Sequence, residues 1–165
     1  MILNLIFPIY LLWFFPTTWI FIIIGNFIID FGVIYVTCKI LHINNFKEIF
    51  KKSFFITYLG GFIIDIIGSL ILVFFPSLIN LFNQDLASNL SHAAYWNPFS
   101  SISGFLFVLV VIIICAYLIW YINYHFAYRK LFLTKSLKFK LSMSIALITA
   151  PYLFLLPTYL FYTFR

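Results

Sequence analysis

Two acidic side chains stand in strongly apolar stretches of this chain. Asp30 lies within the run 17–41 and Asp65 within the run 53–75, while the other two carboxylates, Glu48 and Asp85, fall outside both. An ionised carboxylate in hydrocarbon costs roughly 2.5–3.5 kcal/mol on insertion scales, so something must offset it. No Lys or Arg lies deep inside an apolar run. The offset must therefore come from protons, a bound cation, a cationic substrate or a basic group on a partner's helix. Two carboxylates in contact cannot both ionise cheaply, and one proton shared between them is the smallest answer.

The surroundings of the two aspartates resemble each other: Asn26-Phe-Ile-Ile-Asp30 and Gly61-Phe-Ile-Ile-Asp65. Helical periodicity puts Asn26, Asp30, Val33 and Thr37 on one face of the first run. It puts Thr57, Gly61, Asp65 and Gly68 on one face of the second, with Ser69 beside them. Gly61 and Gly68 are expected to let a neighbouring helix approach closely. Folding the runs as an antiparallel hairpin levels Thr37 with Thr57, Asp30 with Asp65, and Asn26 with Ser69. The expected ion- or proton-binding set is thus Asp30, Asp65, Asn26, Thr37, Thr57 and Ser69. The plainer alternative is a protonated Asp that hydrogen-bonds across the helix pair and contributes about 1 kcal/mol to its association.

The elements that must position these residues follow from composition. Hydrophobic residues make up 65% of the 165 and charged residues 8%, against roughly 25% charged in soluble domains. One soluble core of this length cannot hide so much apolar surface, whereas lipid solvates it. The expected fold is an all-α integral membrane protein, a single domain over 1–165 built as a four-helix transmembrane bundle. Spans are expected at about 17–41, 53–75, 104–126 and 141–163, the last kinked near Pro151 and Pro157. Residues 1–16, broken by Pro8 and Pro16, read as an additional re-entrant or interfacial segment, too short to span. Its start lacks the basic region and cleavage site of a removable signal peptide. In the connection 76–103, Leu78, Phe82, Leu86 and Leu90 recur every four residues and predict an interfacial helix.

The charge pattern supplies an orientation. Nine of the ten basic residues sit in or beside the connections 42–52 and 127–140, and the connection 76–103 has none. By the positive-inside rule both basic loops are expected to be cytoplasmic, in a multi-pass protein of a bacterial plasma membrane. The expected partners are the lipid bilayer, anionic lipid headgroups at those loops, and a membrane-protein partner or a second copy. The net charge of +6 is explained by these clusters, so nucleic acid is not expected as a partner.

Other chemistries find less support. Cys38 and Cys115 lie inside apolar runs and show no metal spacing, and His92 has no ligand partner at useful spacing, so neither metal nor cofactor is expected. His125, near Tyr121 and Tyr124, reads first as an interfacial polar cluster and second as a proton relay. Intramembrane aspartyl proteases need Gly-x-Gly-Asp, and Asp65 follows Phe-Ile-Ile instead. Lipid-headgroup transferases need several carboxylates and a motif Arg that these runs lack. The expectation is a non-enzymatic transporter or channel that handles protons or cations at Asp30/Asp65. The alternative is a non-catalytic subunit that docks a partner's transmembrane helix or stabilises a larger complex.

Overall fold

A computed structural model describes residues 16–43 and 45–161. The expected N-terminal segment, apart from Pro16, lies outside the described residues. Every regular element among them is helical: α1 (Pro16–Ile40), α2 (Phe46–Ile79), α3 (Gln84–Tyr95), α4 (Ile102–Ile122) and α5 (Lys135–Thr149). A π-helical turn, Asn123–Ala127, extends α4, and two 3₁₀ turns, Tyr152–Leu155 and Thr158–Phe161, follow α5. Four helical stretches are long and apolar enough to cross a membrane: Ile20–Ile40, Phe46–Ile79, Ile102–Ala127 and Lys135–Leu155. Phe21, Phe55, Ile102 and Ile113 are among the many large apolar side chains left exposed, which is compatible with a lipid environment.

The buried stripe of α2 runs Ile49, Ser53, Thr57, Gly60, Ile64, Gly68, Leu72 and Pro76, in steps of three or four residues. It packs against α4, whose buried residues include Val108, Val111, Ile112, Cys115 and Ile119, while Gly104 at the start of α4 lies against Ala93 of α3. Close approach is enforced at Gly68, where an added Cβ would come within 2.6 Å of Cys115 Sγ and 2.8 Å of the Phe154 ring. A second tight point lies at Gly60, where a Cβ would meet Ile122 Cγ2 at 2.9 Å. Among the described residues nothing lies within 4 Å of such an atom at Gly61. The helix contact expected at Gly61 is therefore made one residue earlier, because Gly60 carries the inward stripe.

The second helix begins well before the expected residue 53. Phe46, Phe50 and Phe54, one helical turn apart, meet Tyr35, Phe31 and Phe27 of α1 edge to face, with centroids 5.3, 5.2 and 5.0 Å apart. Such pairs contribute about 0.5–1.5 kcal/mol each beyond their burial. Glu48 and Lys52 form an i,i+4 ion pair on the same first turns, and Glu48 also suits the positive end of the helix. The stretch read as a polar connection is thus mostly helix. The turn shrinks to residues 41–45, where His42 takes a positive φ of 53°.

Two further expectations need correction. The interfacial helix exists as α3, but its buried face is Ala87, Leu90, Ala93 and Ala94. Leu78 belongs to α2 and Phe82 is 88% exposed, because the helix restarts at the Asn83 cap, which accepts from Leu86 N at 2.9 Å. At the other end, α5 stops at Thr149 instead of running on as one kinked helix. Pro151 supplies no N–H to the Leu147 carbonyl, and the Tyr152 hydroxyl donates there in its place. The chain then returns to the end of α3, where Thr158 N donates to the Trp96 carbonyl at 2.9 Å. One end of the bundle thus carries α3 and the C-terminal turns. The other carries the 41–45 turn and the 128–134 connection, with Lys52 Nζ 5.6 Å from the centre of the Phe132 ring.

Candidate functional site

Asp30 projects from the inward face of α1, which also buries Val33, Ile34, Thr37 and Cys38. Asp65 projects from α2 one turn beyond Gly61. Both line one half-open cavity of about 440 Å³. Its walls are Asn26, Ile29 and Asp30 of α1, Tyr58, Gly61, Phe62 and Asp65 of α2, and the stretch around the break in α5. That third wall, from Ile148 to Leu156, enters the sequence reading only through the kink expected near Pro151, not as part of the binding set. It holds no charged side chain, and its only local signals are Pro151, Pro157 and the tyrosine between them.

The hairpin register differs from the one expected. The expected alignment would set Phe27 beside Gly68, whereas the structure sets it beside Phe54. The early start of α2 is the cause. The Thr57 hydroxyl is not paired with Thr37; it donates to Asn123 Oδ1 at 2.6 Å, in the π-helical turn that extends α4. Ser69 is buried and donates to its own helix at the Asp65 carbonyl, 2.8 Å away. Thr37 is buried outside the cavity. Of the six expected binding residues the structure brings Asn26, Asp30 and Asp65 together and leaves Thr37, Thr57 and Ser69 elsewhere. The two carboxylates share a cavity despite the shifted register because its walls extend over more than one turn of each helix.

The carboxylates are short of partners. Asp30 is only 7% exposed, and no hydrogen bond or ion pair from the described residues reaches its side chain. Asp65 Oδ1 is buried with no hydrogen-bond partner. No Lys, Arg or His stands among the described lining residues. A buried polar oxygen without a donor is costly, and two carboxylates at one cavity double the demand for positive charge. No group of three or more His, Cys, Asp and Glu capable of holding a metal ion occurs among the described residues.

Elsewhere, the His125 ring packs against Tyr121 and Tyr124 at 4.6 and 5.0 Å between centroids, on the exposed side of the π-helical turn. His92 Nδ1 lies 2.9 Å from Ser100 Oγ. Neither reaches the aspartates. No protein-family model matches the chain, and no curated protein or solved structure matches it either.

Proposed function

We propose that this chain is a small polytopic membrane protein that moves or exchanges protons or cations through its Asp30/Asp65 cavity. One observation carries the reading: two carboxylates, one nearly buried and one with an orphaned oxygen, line a shared cavity with no basic residue among its described lining. Intramembrane carboxylates with no countercharge mark ion or proton paths. The break of α5 beside them supports the same reading, since interrupted helices commonly line transport sites. In this proposal the end of the bundle bearing Lys51 and Lys52 of α2 and Arg129 and Lys130 of the 128–134 connection faces the cytoplasm of a bacterial cell and binds anionic headgroups, and α3 faces outward.

A second reading rests on the orphaned Asp65 oxygen. A Lys or Arg on a partner's transmembrane helix would satisfy it, making the chain a docking subunit of a larger complex. The two readings separate in reconstituted vesicles that contain this chain alone. The transport reading expects cation or proton flux above that of empty vesicles. Flux equal to empty vesicles, restored by a co-purified partner with a basic transmembrane residue, contradicts it and selects docking.

A further inference from the structure

We infer that the guest of the Asp30/Asp65 cavity is a protonated amine with an apolar body, rather than a bare inorganic cation. The inference rests on the proposed cation-handling role and narrows its substrate class. The direction of the hydroxyl groups carries it. Three of the lining side chains bear hydroxyls, and all three hydrogens are already committed to backbone carbonyls. Tyr58 donates to Ile23 O at 3.1 Å, Thr149 to Ile145 O at 2.9 Å, and Tyr152 to Leu147 O. Towards the cavity these groups have only oxygen lone pairs to offer. The two carboxylates add further acceptors, and apart from a carboxylic O–H of the pair the Asn26 amide is the single side-chain donor left among the described lining residues. The end of α5 at Thr149 adds the negative end of a helix dipole.

Such a wall asks for a guest that donates several hydrogen bonds and carries positive charge. The remaining lining is apolar: Ile29, Phe62, Ile148, Pro151, Leu153 and Leu155 among others. A small metal ion needs several oxygens closing on it at short range, and a cavity of about 440 Å³ walled largely by hydrocarbon does not provide that shell. The volume falls instead in the range of sites for small organic ligands, roughly 300–1,000 Å³. An alkyl- or arylalkylammonium fits each feature: its N–H groups face the acceptors, its charge faces the carboxylates, and its body covers the hydrocarbon. The charge balance is simple. The ammonium enters as a monocation, a carboxylic O–H of the empty pair loses its proton to solvent, and no covalent bond to carbon forms or breaks.

The test is calorimetric titration of the full chain in detergent with phenethylammonium chloride, repeated in buffers of different ionisation enthalpy. The expected result is saturable binding whose heat varies with the buffer, showing proton release in the wild-type protein. The neutral analogue 2-phenylethanol should bind about tenfold more weakly or worse, as should phenethylammonium to a folded Asp65→Asn variant. Equal binding of 2-phenylethanol overturns the inference. So does vesicle flux of sodium ions or protons without any phenethylammonium binding, which leaves the broader transport reading standing. Absence of both flux and binding removes the two together.

Discussion

The Thr57 hydroxyl donates to Asn123 Oδ1 at 2.6 Å, joining the middle of α2 to the π-helical turn that ends α4. Both side chains are 1% exposed, and the Asn123 amide continues the chain by donating to the Ile119 carbonyl at 2.8 Å. Thr57→Val preserves the shape but leaves a buried amide oxygen without a donor. The variant should lose about 1–3 kcal/mol of stability, read from reversible unfolding in mixed micelles. A loss within a few tenths of a kcal/mol would show that the bond is dispensable.

Gly60, Gly61 and Gly68 differ in what surrounds them, and the difference is measurable. Gly68→Ala drives a methyl group against Cys115 Sγ and the Phe154 ring, so it should destabilise by about 1–3 kcal/mol. Gly61→Ala meets none of the described residues within 4 Å, and its better helix propensity should leave stability unchanged or up to about 1 kcal/mol higher. The same micelle unfolding assay ranks the two. The reverse order would mean that Gly61, and not Gly68, carries the helix contact.

Pro151 separates the α-helical part of α5 from the 3₁₀ turn that walls the cavity. Pro151→Ala restores an N–H for the Leu147 carbonyl and allows α5 to continue. The thermal midpoint should hold or rise while vesicle flux falls, because the third wall is redrawn. Undiminished flux in a stable variant would show that the break is irrelevant to the cavity.

Sidedness is tested by labelling. Ser88 and Ser136 are exposed at opposite ends of the bundle, and both native cysteines are buried. A membrane-impermeant maleimide added outside intact cells should label Ser88→Cys and miss Ser136→Cys. The opposite pattern would invert the proposed orientation.

The sequence reveals a helix where charge and apolarity change together and misleads where they do not. The apolar run ending at Lys39 and Ile40 marks the end of α1, and the pure hydrocarbon stretch around Val108–Ile119 marks α4. The start of α2 was hidden because Lys47, Lys51 and Lys52 resemble a loop, although Phe46, Phe50 and Phe54 already form a helical stripe. From that single misreading came the wrong hairpin register and the misplaced Thr37/Thr57 pair. Asp30 and Asp65 were legible because charge in hydrocarbon is conspicuous. The wall from Ile148 to Leu156 was not, because it is made by a backbone break and apolar side chains.

Cation or proton flux in vesicles reconstituted with wild type, Asp30→Asn and Asp65→Asn tests the proposed role of the cavity most directly. Asn keeps nearly the same volume and can still hydrogen-bond, so both variants should fold and retain wild-type helicity by circular dichroism. The expected result is flux in wild type above empty vesicles and its loss in each variant. Equal flux in all three proteins would contradict the role of the carboxylates, and wild-type flux no greater than that of empty vesicles would contradict transport itself.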